Sequence, residues 1–211
     1  MNAPPSADPV RTRREPPASL HKIAKPPSLL PLYGKAALSG PLHRGDTLPS
    51  SRYTLAEQAI DRDHLAAYQR VCGFRVSDVL PATYLHVVAF PVTVALMTER
   101  AFPLPLVGLI HVGNAITLNR PVGADERVSF QVRAAELRPH PAGRQLDVLV
   151  DASVGDETVW TGRSTYLRRE KTPPERHRPM SEPPRVQDVR IRVPDDIGRR
   201  YAAVSGDRNP I

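Results

Sequence analysis

The chain has 211 residues, with 40% hydrophobic and 5% aromatic residues, a formal net charge of +7, and a pI near 10. That length holds one large domain or a domain plus part of another. The single cysteine, Cys72, excludes an internal disulfide and suits a reducing cytoplasm, and no apolar run reaches the roughly 18 residues of a membrane span. The N-terminus has no secretory signal pattern. The basic charge is not one block: much of it lies in two proline-rich stretches, residues 11–35 and 168–200. There is no zinc-ligand spacing and no nucleic-acid motif, so these charges read as solvated tail and linker. The sharper alternative is a docking surface for a phosphorylated carrier.

Residues 1–28 are dominated by Pro, Ser and charge and read as a disordered tail. LLPLYGKAAL (29–38) reads as a short docking helix and RYTLAEQAI (52–60) as a strand. Asp61 or Asp63 caps a helix through HLAAYQRVCG, with Leu65, Tyr68 and Val71 at helical spacing and Gly73 at its end. PATYLHVVAF (81–90) reads as extended, with Pro91 opening a helix through PVTVALMTER.

Four strand-like runs follow, at 106–119, 126–137, 144–154 and 158–169. Apolar residues alternate at Val128, Phe130, Val132 and Ala134, and again at Leu146, Val148, Val150 and Ala152. The short turns PVGAD, RPHPAG and GDE between them imply an antiparallel meander. The fold class expected is therefore α+β, one antiparallel sheet covered by a helix. Residues 170–187 have linker composition. VRIRV (189–193) reads as a new strand, and a helix through IGRRYAAVSG follows.

That last helix has an earlier counterpart. DHLAAYQRVCGF (63–74) and DIGRRYAAVSGD (196–207) align with Tyr68 on Tyr201, Val71 on Val204, Cys72 on Ser205 and Gly73 on Gly206, all 133 residues apart. The recurrence after a linker points to a duplicated domain. The copies differ after the glycine: Phe74 in the first, Asp207 in the second. One half is thus expected to line an apolar pocket and the other to carry chemistry.

Tyr201-x-x-x-Ser205-Gly206-Asp207-x-Asn209-Pro210-Ile211 resembles the hydratase motif of the MaoC-like dehydratases, or hydratase 2 enzymes. PATYLHVVAFPVTVALMTERAFP, LVGLIHVGNAITLNRPV and AELRPH resemble the first half of double-hot-dog 3-hydroxyacyl-thioester dehydratases. The likeness runs from about residue 30 to the end. It implies a hot-dog fold, an antiparallel sheet wrapped around a central helix. Residues 29–169 would be a first, non-catalytic half shaping the acyl tunnel, and residues 188–211 the start of a catalytic second half. In that family a His follows the Ile. Here Ile211 is the last residue, so the chain is expected to be truncated within the motif and, by itself, weakly active or inactive.

The resemblance implies a hydro-lyase, a (3R)-hydroxyacyl-thioester dehydratase or (R)-specific enoyl-CoA hydratase of fatty acid metabolism. Its substrate would be an acyl-CoA or acyl-carrier-protein thioester. It would be cytoplasmic, with a homodimer allowed, and need no cofactor, metal, nucleic acid or membrane. Asp207 would take a proton from water, the family's His would share that water, and Asn209 would orient the turn. Gly206 and Phe74 would contact substrate. Backbone N–H groups at a helix N-terminus would polarise the thioester carbonyl. Taken alone, Asp207 and Asn209 read as turn residues, Ser205 and Cys72 as small packing residues, His86 as structural, His111 as a strand residue with lining of the ligand tunnel as the lesser reading, and Trp160 and Tyr166 as sheet packing. Two other functions compete: a non-catalytic acyl-thioester-binding or scaffold subunit, and a hot-dog thioesterase, which fold alone cannot separate.

Overall fold

A computed structural model describes residues 19–39, 45–170 and 192–207. In chain order its elements are β1 (Leu20–Ile23), α1 (Leu29–Ser39), β2 (Arg52–Ala59), α2 (Arg62–Cys72), α3 (Tyr84–Met97), β3 (Leu109–Leu118), β4 (Arg127–His140), β5 (Gly143–Val154), β6 (Glu157–Arg169) and α4 (Ile197–Ser205). The six strands form one sheet in the order β1-β2-β4-β5-β6-β3, antiparallel except for the β1–β2 pair. The sheet wraps α3, as the α+β hot-dog expectation requires.

The alternation in β4 and β5 fixes the inner face. Val128, Phe130 and Val132 of β4 and Leu146, Val148, Val150 and Ala152 of β5 are buried, since successive side chains of a strand point to opposite faces. They pack under Val92, Val94, Leu96 and Met97 of α3. The α2 caps also follow the sequence. The Asp61 side chain accepts from the N–H groups of Asp63 and His64, and Gly73 takes the left-handed conformation that ends the helix.

Three expectations are corrected. First, residues 81–90 are not extended, and Pro91 does not open a helix. Helix α3 starts at Tyr84 and carries Pro91 inside it. The helix is apolar nearly all round because the sheet encloses it, so it lacks the one-sided stripe that marks a surface helix. Pro91 removes one N–H from the helical ladder without ending it. Second, residues 20–23 are not a disordered tail. They pair in parallel with residues 52–55, and the His21 and Tyr53 rings stack with centroids 4.7 Å apart. The exposed edge of β2 supplies backbone partners that need no particular side chains; residues 1–18 lie outside the described residues. Third, the strands are not a simple meander. Of β3 to β6, only β4, β5 and β6 succeed one another, while β3 pairs with β6 at the far edge. The connection from β3 to β4 is braced by Arg120, which donates to Glu126 and Glu157 at 2.9 Å each.

On the outer face, Asp147 of β5 has no exposed side-chain surface. It is roofed by Arg138 and Arg163, at 3.1 Å each, and accepts from Thr165 Oγ1 at 2.8 Å. Burial alone pushes its carboxyl pKa up, but the hydrogen bonds from Arg138 and Thr165 and the two positive charges outweigh this and hold it below the usual range. A depressed folded-state pKa gives stability that is present above the unfolded carboxyl pKa and is lost as pH falls through the folded value. Asp147→Ala is expected to cost about 1–3 kcal/mol, less than breaking a fully buried pair because both arginines can return to water. Asp147→Asn should flatten the acid limb of the stability–pH curve. Urea unfolding across acid pH checks both, and an unchanged midpoint and slope would refute the assignment.

Candidate active site

The site gathers where α4 docks on the first-half elements. Helices α2 and α4 lie against each other, and the aligned tyrosines Tyr68 and Tyr201 meet with ring centroids 6.3 Å apart. Both helices end in a left-handed glycine, Gly73 at φ 73° and Gly206 at φ 72°. At Gly206 a Cβ would also lie 2.7 Å from Leu29 Cδ1. Glycine is demanded there by the backbone turn, and a larger residue would also displace the end of the Leu29 side chain.

His64 joins the helices. Its Nε2 is 2.8 Å from the Val204 carbonyl oxygen, and its Nδ1 is 2.8 Å from Tyr84 Oη. A carbonyl only accepts, so Nε2 carries the proton and Nδ1 accepts from the Tyr84 hydroxyl. Burial, helped by Asp61, pushes the Tyr84 phenol upward and keeps it a donor. His64→Leu is expected to loosen α4 by roughly 1–2 kcal/mol, by removing two hydrogen bonds and stranding the Tyr84 hydroxyl. Amide exchange in residues 197–205 should speed up while α3 stays protected; equal protection in both proteins would refute this.

Beyond Gly206 the chain presents Asp207, half-buried. Its backbone N–H donates to Ser205 Oγ at 3.2 Å, and the Tyr33 hydroxyl of α1 donates to Asp207 Oδ1 at 3.4 Å. The Tyr33 phenol is pushed up to about 12, by burial first and then by the Asp207 charge, so it remains a donor at neutral pH. The docking helix read at 29–38 thus brings a hydroxyl to the carboxylate. A cavity of about 350 Å³ adjoins, lined among others by Asp61, His64, Tyr84, Val88, Ser205 and Gly206.

Three rings from three elements lie within the influence of the Asp207 charge. His86 of α3 stacks on His111 of β3, with centroids 5.7 Å apart and planes 17° apart. His111 stacks in turn on Tyr166 of β6, at 4.9 Å and 20°. Burial, reinforced by His111, lowers the His86 pKa to about 4, although the Asp207 charge pulls the other way. His111 is lowered too, by burial, against the raising effects of a hydrogen bond to the Gly113 backbone and of Asp207. Both imidazoles are therefore neutral at pH 7.

Of the residues singled out in the sequence, Gly206 lines the cavity and Asp207 follows it. Phe74 stands apart: it is 44% exposed, stacks on Tyr68 at 6.2 Å, and does not line that cavity. Asn209 lies outside the described residues. Of the strand expected at 189–193, Arg192 and Val193 are not in a strand, and the rest lies outside the described residues, as does the linker from 171. Tyr33, His64, His86 and Tyr166 were not foreseen as site residues, and His111 only in its lesser reading as a tunnel residue. A helix-capping Asp three residues before His64 was the only local hint. A second cavity, of about 650 Å³, lies between the end of α2 and α4, with Arg70, Arg192 and Arg200 among its lining. Among the described residues no cluster of His, Cys, Asp and Glu suits a metal ion, and no helix is long and apolar enough to cross a membrane.

No family model matches the chain. It is 37% identical over 175 residues to 3-hydroxyacyl-thioester dehydratase X of Mycobacterium tuberculosis, covering 80% of this chain and 61% of the relative. A crystal structure of that protein, HtdX, superposes with a TM-score of 0.65 at 34% identity, covering 78% of this chain and 65% of the other. MaoC-like dehydratases match the fold at 16% identity with a TM-score of 0.53. One is covered over 66% of its length and another, from Phytophthora capsici, over 62%; each match takes in 75% of this chain. The chain belongs to the hot-dog fold class that these proteins share. Within that class its sequence is related to HtdX, of whose length it spans about three fifths.

Proposed function

We propose that this protein is a (3R)-hydroxyacyl-thioester dehydratase, equally an (R)-specific enoyl hydratase, acting on CoA or acyl-carrier-protein thioesters. One observation carries the reading: the 37% identity to a 3-hydroxyacyl-thioester dehydratase extends over four fifths of this chain. The geometry supports it by setting Asp207 after a left-handed glycine, with the Tyr33 hydroxyl on its carboxylate. Residues 29–169 act as the first hot-dog half and residues 188–211 as the start of the second. The packing of Tyr68 against Tyr201 suits two copies related by an approximate two-fold.

In hydration the water oxygen bonds to C3 of a trans-2-enoyl thioester, and Asp207 takes the proton that water releases. The C2=C3 pair moves toward the thioester oxygen, then returns to C2 as that carbon takes the proton Asp207 holds, which restores the carboxylate. Dehydration is the reverse. Asn209 and Gly206 shape the turn that presents the carboxylate, and Phe74 adds apolar surface in the first half. Arg70, Arg192 and Arg200 suit the phosphates of a CoA or phosphopantetheine arm.

The test uses crotonyl-CoA and the complete gene product. Loss of enoyl absorbance with formation of (3R)-hydroxybutyryl-CoA is expected. Release of free CoA instead would identify a thioesterase, and binding without turnover a non-catalytic subunit. Either would overturn the proposal.

A further inference from the structure

The ring of His86 is half-buried, yet among the described residues nothing hydrogen-bonds it. Among those residues the ring nitrogens are neither paired nor sealed off, so one of them is open to a ligand. Its neighbours fix its attitude. His111 lies almost parallel to it and is itself held between His86 and the buried Tyr166 ring. The file therefore runs from the central helix to the last strand of the sheet, and the Asp207 charge acts on all three rings.

We infer that His86 is a substrate-contacting residue, donating its ring N–H to the thioester carbonyl oxygen while Asp207 handles the water, and that His111 is the positioning residue that holds the His86 ring in plane. The inference rests on the hydratase reading above. The chemistry of the ring fits the task. A neutral imidazole donates one N–H and needs no counter-ion. When water adds at C3, negative charge develops on the thioester oxygen, and a fixed N–H aimed there is stabilising in the transition state. A cationic imidazole would instead pair with Asp207 and draw the base away from water; burial of His86 prevents this. A flat conjugated enoyl thioester is also suited to packing against stacked rings.

The test measures kcat and KM of the complete gene product on crotonyl-CoA. His86→Phe keeps a flat ring and removes the N–H. It should lower kcat by about 10²-fold or more, the usual cost of deleting one oxyanion donor, with KM little changed. His86→Gln, which retains an N–H donor, should recover part of that loss. His111→Ala should lower kcat less than His86→Phe, and His111→Phe, which keeps the stack, should recover part of what His111→Ala loses. Circular dichroism confirms that each variant is folded. An active parent whose His86→Phe variant keeps near-normal kcat overturns this inference and leaves the hydratase reading intact. A folded parent that does not hydrate crotonyl-CoA overturns the reading and this inference with it. Equal losses in the Phe and Gln variants also sink the donor role.

Discussion

Replacing Asp207 with Asn in the complete gene product is expected to lower kcat on crotonyl-CoA by about 10²–10⁴-fold, the usual contribution of one general acid–base group. The fold should not change. Asn fits the same space, its backbone N–H still reaches Ser205 Oγ, and its side-chain oxygen still accepts from Tyr33. What it cannot do is take a proton from water, so the loss should fall on kcat and leave KM near the parent value. Asp207→Glu tests placement. It keeps the carboxylate but moves it by about a methylene, and effective catalysis depends on placement to well under that distance. A folded Asp207→Asn protein with near-normal kcat would return Asp207 to the role of a plain turn residue. Tyr33→Phe is the milder companion. It removes one long hydrogen bond, and its effect should be far smaller than that of Asp207→Asn.

The parts of this fold that were legible in the sequence are those where one face meets water. Strands β4 and β5 alternate because their outer residues, Asp147 apart, keep some contact with water, and α2 is readable because Asp61 and Gly73 mark its ends in the chain itself. The first half of helix α3 was hidden by its own burial. With Tyr84, Leu85, Val87 and Ala89 all enclosed and Pro91 following, residues 84–90 carry the composition of a buried strand, and periodicity cannot separate the two. Strand β1 was hidden for the opposite reason: it is held through backbone groups, with Leu20, His21 and Lys22 exposed. The position of β3 beside β6 is a matter of topology, which local alternation does not encode. The site divides in the same way. Asp207 and Gly206 are adjacent in the chain and stand out as a motif, whereas His86, His111 and Tyr166 come together from three elements. Nothing local marks that meeting, and His86 in particular sat in a segment read as a strand.

The largest loss of stability is expected at Trp160, the only tryptophan in the chain. Its side chain is fully buried, and its indole N–H donates to the Ala82 carbonyl at 2.7 Å. Ala82 lies just before Tyr84, where α3 begins, so this bond ties the start of the central helix to β6. The ring also fills the space above Gly162, where an added Cβ would sit 2.3 Å from the far edge of the indole. Trp160→Ala therefore empties a large volume at the point where helix and sheet meet, and the expected cost is about 3–5 kcal/mol. Trp160→Phe keeps part of the volume and loses the hydrogen bond, so it should fall between the alanine variant and the parent. Gly162→Ala acts from the other side, by overpacking, and should cost about 1–3 kcal/mol. Urea unfolding followed by far-ultraviolet circular dichroism measures all three, since two of them lack the fluorophore. In Gly162→Ala the indole is retained, and its emission should report displacement of the ring. A Trp160→Ala midpoint close to the parent value, with an unchanged dependence on urea, would mean that the indole does not fasten α3 to the sheet. The helix would then be held by Val92, Val94 and Leu96 alone, and Gly162→Ala should be tolerated as well.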